Sequence, residues 1–159
     1  SGLELEVRGR AADLLPGLLG QAKALNLRAS VNLYRSRVAA LQGPDNRLDG
    51  QQPWSATLGF DQRISGLPLN VGGSLSLSPA YETRQTEDQW VRRSSTRSVD
   101  VFAQMFISPT MSLRAAASAG VQQFGQPNGS STTLLANGDY TRSERYTKPQ
   151  INVSLDMRL

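Results

Sequence analysis

The sequence predicts an all-β protein of the antiparallel, membrane-spanning barrel type. Three observations carry that expectation. Apolar and polar residues alternate with a period of two in seven separate segments, the pattern of strands with one apolar and one polar face. Several segments sustain it for about 9–12 residues, the length of a tilted strand crossing a bilayer rather than the about 5–6 of an average soluble strand. The connections then alternate strictly between short and long over the last six strands.

The elements follow in order. Leu3, Leu5 and Val7 alternate with Glu4, Glu6 and Arg8. Residues 10–24 should be an elongated turn, with Leu14, Leu15, Leu18 and Leu19 at helical spacing and Pro16-Gly17 interrupting a helix. Leu25, Leu27, Ala29, Val31 and Leu33 form the next apolar stripe, followed by a polar connection over 35–52. Trp54, Ala56, Leu58 and Phe60 make the third, closed by Ser65-Gly66-Leu67-Pro68. The fourth runs from Leu69 through Val71, Gly73, Leu75 and Leu77 to Tyr81, and a polar loop is expected over 82–97. Val99, Val101, Ala103, Met105 and Ile107 supply the fifth, with Phe102 and Phe106 on its polar parity. After Ser108-Pro109-Thr110, Met111 to Val121 repeats the pattern; a long irregular loop over 123–149 follows. Ile151, Val153, Leu155, Met157 and Leu159 complete the last strand. Short turns would lie at the periplasmic end and long loops outside the cell.

Composition narrows the chemistry. The 159 residues include no Cys and no His, which excludes disulfide scaffolds, thiolate or imidazole metal sites, Ser-His-Asp triads and Cys nucleophiles. Asp61 and Asp100 could pair as acid and base, but no nucleophile, metal motif or phosphate loop accompanies them. We therefore expect a non-enzyme with no cofactor and no metal, and charge ladders among Arg28, Asp61, Arg63, Asp100, Arg114, Asp156 and Arg158 lining a wet interior. The net charge of +4 comes from arginine, and its scatter along the chain argues against a nucleic-acid partner.

Three groups of candidate functional residues stand out. Trp54 and Tyr81 sit on the apolar parity at the outer ends of their strands, as expected for an aromatic girdle at a membrane interface. Trp90, Arg92 and Arg93 share one loop and could contact an anionic ligand or lipopolysaccharide phosphate, since guanidinium groups fork phosphate and carboxylate. The stripe Ile151, Val153, Leu155, Met157 and Leu159 would be the terminal assembly strand.

The stretch GPDNRLDGQQPWSATLGFDQRI resembles the closing portion of TonB-dependent outer-membrane receptors, where a long loop ends in a Gln-Pro-aromatic step and enters a strand of the form xxLGFD. The opening SGLELEVRGR and the final INVSLDMRL are similar to strands of the same family, although the family usually ends in Phe or Trp rather than Leu159. The resemblance implies about seven carboxy-terminal strands of a 22-stranded barrel in the bacterial outer membrane, with the plug domain and the earlier strands outside this segment. It implies uptake of a ferric siderophore, cobalamin, haem or glycan. The partners it implies are outer-membrane lipid and lipopolysaccharide, the rest of the barrel and plug, TonB through the amino-terminal part, and the barrel-assembly machinery. A passive channel, a structural or adhesive barrel, and a soluble carbohydrate-binding β domain are the alternatives.

Overall fold

The computed structural model describes residues 1–19, 24–41, 46–121 and 127–157. In chain order the strands are β1 (Gly2–Arg10), β2 (Leu25–Tyr34), β3 (Trp54–Arg63), β4 (Leu69–Ser78), β5 (Tyr81–Thr86), β6 (Gln89–Arg93), β7 (Thr96–Ser108), β8 (Met111–Gly120), β9 (Gly129–Leu135), β10 (Tyr140–Arg145) and β11 (Gln150–Met157). They make two antiparallel sheets. The larger has seven strands in the order β1-β2-β3-β4-β7-β8-β11; the smaller has four, β10-β9-β6-β5. The protein is therefore all-β, and the seven-stranded sheet is open, with β1 and β11 as its edges.

The register shows why these residues form one large sheet. Val7, Ala29, Leu58, Leu75, Val99 and Ala119 stand directly opposite one another from strand to strand. The next row on the same face is Leu27, Phe60, Gly73, Val101, Ala117 and Ile151. A slip of one residue at any ladder would move a whole strand's apolar set to the other face, so the alternation and the pairing specify each other. The opposite face is polar in the same rows. Arg28, Gly59, Ser74, Asp100, Ser118 and Gln150 form one of them.

Among the described residues, no second layer covers the apolar face. Ala11 and Val91 are the buried hydrophobic residues among those described, and neither belongs to the seven strands' apolar stripe. The accessible surface is 11425 Å² for 17.3 kDa, whereas a compact soluble monomer of that mass exposes about 7,800 Å².

The two short connections and the helical connection 11–24 lie at one end of the seven-stranded sheet. Residues 64–68 close with Ile64 N donating to Leu69 O at 2.9 Å, and Gly66 takes a φ of 79° that other residues avoid. Pro109-Thr110 joins β7 to β8, next to a β-bulge between Phe106 and Ser108. The third connection holds two single-turn helices, α1 (Ala11–Leu14) and α2 (Pro16–Leu19). Pro16 opens the second one, where its missing N–H costs nothing. Leu14 folds back against Gly9, and Ala11 is fully buried beneath this turn. No described helix is long and apolar enough to cross a membrane.

The three long connections all lie at the other end, and two of them are not the irregular loops that the sequence predicted. Residues 82–97 contain the β5–β6 hairpin and residues 123–149 the β9–β10 hairpin, and β6 pairs with β9 to fuse them into one sheet. Their tips are tied as well, Ala136 N donating to Asp88 O at 2.9 Å. The third long connection is knotted by hydrogen bonds of its own: Asn46 Nδ2 donates to Val38 O and Leu41 O, and Leu48 N donates to the Ser36 hydroxyl.

Candidate functional site: the polar face and the sheet above it

Two glycines shape the polar face by letting long side chains lie flat across it. A Cβ at Gly59 would stand 2.5 Å from Arg28 Nε, so the Arg28 side chain crosses the neighbouring strand in the groove that Gly59 leaves. A Cβ at Gly72 would stand 2.6 Å from Phe102 Cε1 and 2.7 Å from Phe60 O. That contact accounts for Phe102 on a polar parity: its ring covers the bare backbone of Gly72, directly opposite it. Arg114 then sits over the exposed side of the same ring, 4.6 Å from its centroid. Phe106 has a different reason, since it lies beside the bulge at the foot of β7.

Among the described residues none of the expected charges forms an ion pair, and hydrogen bonds join neighbouring strands on this face. Asn26 Nδ2 donates to Asp61 Oδ2 at 2.8 Å, and Gln104 Nε2 donates to Ser112 Oγ at 3.0 Å. Arg8 and Arg28 stand opposite each other, a like-charge pair where a ladder needs opposite signs. Asp61 and Asp100 lie in different rows with β4 between their strands. No group of Asp and Glu among the described residues could hold a metal ion.

Four hollows follow this face from one end to the other. At the short-turn end, Gln104, Phe106, Ser112 and Asp156 line one of about 660 Å³. Mid-sheet, Arg28, Asp100, Phe102, Arg114 and Asn152 line another of about 310 Å³. It shares Asp100, Ser118 and Gln150 with a third, of about 420 Å³, which is floored by Ser76 and Ser98. The third shares Ser78, Thr96, Asn128 and Arg145 with the fourth, which reaches up under the four-stranded sheet. The three upper hollows thus make one connected track, while the hollow at the short-turn end shares no lining residue with them.

The four-stranded sheet sorts its charges between its two faces. Glu82, Arg92, Thr132 and Arg142 form a row on one face, beside the row Arg84, Trp90, Leu134 and Tyr140. Here Arg92 Nε donates to Glu82 Oε2 at 3.0 Å, Arg142 pairs with Glu144 at 2.8 Å, and Arg84 stacks over the Trp90 ring at 5.2 Å. The Glu144 carboxylate also accepts the Tyr146 hydroxyl at 2.7 Å, which raises that phenol above its ordinary value. The opposite face holds Thr83 and Val91, both buried, and then Tyr81, Arg93, Ser131 and Ser143 in one row, with Arg145 beside them.

The structure therefore divides the predicted residues differently. Trp54 begins β3 opposite Leu33, in line with Leu3 on the apolar face. Tyr81 does not end the fourth long strand: β4 stops at Ser78, and Tyr81 opens β5 with its hydroxyl donating to Gly50 O at 3.0 Å. Trp90, Arg92 and Arg93 do not act as one cluster, because strand geometry sends Arg93 to the face opposite the other two. Ile151, Val153, Leu155 and Met157 pair across from Ala117, Ala115, Leu113 and Met111. Leu159 and Arg158 lie outside the described residues. Arg145 was hidden in a stretch read as loop; the Asn137-Gly138 step that turns β9 into β10 was the available hairpin signal, and Gly138 has a φ of 93°.

No protein-family model matches the sequence, and the searches find no significantly similar curated protein and no significantly similar solved structure.

Proposed function

We propose that this chain is a segment of an outer-membrane β-barrel that serves substrate uptake as part of a TonB-dependent receptor. One observation carries the membrane reading. An apolar face, interrupted at Gln62 and Arg97, runs in register across seven strands with no described residue packed on it, and Leu5, Leu58, Val101 and Ile151 on that face are 56%, 51%, 48% and 79% exposed. Water would penalise such a face by about 25 cal/mol per Å², and hydrocarbon would not. Strand lengths support the same reading. The six strands β1, β2, β3, β4, β7 and β8 have 9 to 13 residues, against the about 9–11 that a tilted transmembrane strand needs.

In this reading the polar track faces the barrel interior, the short connections face the periplasm, and the four-stranded sheet stands outside the cell. The free edges β1 and β11 join the remaining strands of the full barrel. Coupling to TonB rests on the sequence resemblance, and a plug with its TonB-binding segment upstream is what separates active uptake from a passive or structural barrel.

The test uses the full-length protein in its native membrane. It should sediment with the outer membrane, require detergent, and shift on a gel after boiling. The chain has no cysteine, so Asp88→Cys should label on intact cells while Leu67→Cys labels only after lysis. A monodisperse protein in plain buffer, or the reverse labelling, would overturn the reading. Uptake that persists without TonB would leave a barrel and remove the receptor.

A further inference from the structure

We propose that the hollow between the two sheets, built around Arg93 and Arg145, binds the carboxylate or phosphate head group of a hydrophilic solute. The proposal deepens the uptake reading by naming a chemical class for what enters the track.

The argument begins with charge segregation. On the outward face of the four-stranded sheet, Arg92 is engaged by Glu82 and Arg142 by Glu144. Arg93 and Arg145, one residue from Arg92 and Glu144 in sequence, point to the other face. There, neither side chain makes an ion pair or hydrogen bond among the described residues. Both line a single hollow of about 210 Å³ together with Gln52, Tyr81, Ser131 and Ser143, and among the described residues no carboxylate lines it. Two positive charges with no counter-ion among the described residues at one concavity raise the local potential for an anion. Guanidinium forks are also the side chains best matched to carboxylate and phosphate oxygens.

The register explains how both arginines serve one cavity. Arg93 stands opposite Ser131, and Arg145 stands opposite Gly129, the next position on that face of β9. A serine and a glycine leave the floor between them low. The surrounding hydroxyl and amide groups supply further donors. The hollow has room for a charged head group and opens into the neighbouring hollow through shared residues. The ligand would therefore be held by its head, with the remainder lying along the track toward Arg28 and Arg114, which line the hollow mid-sheet.

Calorimetric titration of the purified full-length protein with citrate and with inorganic phosphate tests this. The wild type should bind at least one of the two, with an affinity that falls as NaCl rises. Arg93→Gln and Arg145→Gln should each weaken binding about ten-fold or more, with unchanged circular dichroism. Arg142→Gln, on the opposite face, should stay within about two-fold. Glucose should give no heat. Absence of anion binding in the wild type, or equal weakening by Arg142→Gln, would overturn the proposal. Lipopolysaccharide retention should be indifferent to Arg93 and Arg145; if the two variants lose lipopolysaccharide but keep citrate, the hollow serves a lipid phosphate and the solute proposal falls. The titration can be run in detergent or in plain buffer, so its failure and that of the membrane reading are read separately.

Discussion

The two sheets of this molecule share one secondary structure and solve opposite solvent problems. In the seven-stranded sheet every strand is amphipathic, the apolar rows run from strand to strand with interruptions at Gln62 and Arg97, and no described residue covers them. In the four-stranded sheet both faces are mainly polar, the strands have five to seven residues, and the one buried patch is Thr83 and Val91. The small sheet holds itself with ion pairs, a cation–π stack and ladder hydrogen bonds, all of which tolerate water. The large sheet holds itself with apolar rows that need a nonaqueous neighbour. Strand pairing alone therefore says little about environment; what stands on the two faces decides it.

The sharpest way to break this contrast is to place one charge on each sheet at positions of similar exposure. Val101 is 48% exposed on the large sheet and Leu135 is 41% exposed on the small one. If the large face meets lipid, Val101→Arg should cost about 2–4 kcal/mol in a refolding titration of the full-length protein into bilayers. Leu135→Arg should stay within about 0.5 kcal/mol, as surface changes in water do. Equal effects would mean that both sheets face the same solvent.

A smaller effect separates two glycines on the polar face. An added methyl at Gly72 meets the Phe102 ring and the fixed carbonyl of Phe60, so Gly72→Ala should cost about 1–3 kcal/mol in the same titration. At Gly59 the obstacle is the flexible Arg28 side chain from Cγ to Nε, with no backbone atom among its nearest contacts, and it can swing away. Gly59→Ala should cost under about 1 kcal/mol. If Gly59 proves the more sensitive, Arg28 is held more tightly than its reach into the hollow implies.

The smallest effect belongs to the upper sheet. The Arg92–Glu82 pair is largely exposed, with the arginine side chain 70% accessible, so Arg92→Gln should cost no more than about 1 kcal/mol and less in high salt. Hydrogen exchange at the β5 and β6 amides would read it. Exchange that quickens in the seven-stranded sheet as well would show that the two sheets unfold as one unit.

The sequence by itself determined the large sheet. Seven stripes with a period of two, bounded by Gly-Pro turns, left one register in which the apolar stripes share a face, with Phe102 and Phe106 the large exceptions on the other, and the structure adopts it from Leu3 to Met157. The positions of Trp54 and of the apolar stripe of β11 were legible for the same reason: parity along a strand is a local property. The small sheet was not legible, because strands polar on both faces carry no period-two signal and read as loop. Tyr81 was misplaced by that same blindness, since its parity continues past the end of β4 and conceals the break at Pro79-Ala80. Tertiary structure alone decided that β6 meets β9, a pairing between segments about 40 residues apart in sequence that no local pattern encodes. That one pairing turns Arg92 outward and Arg93 inward, brings Arg145 beside Arg93 around a shared hollow, and so makes a candidate site from residues whose sequence neighbourhoods show nothing in common.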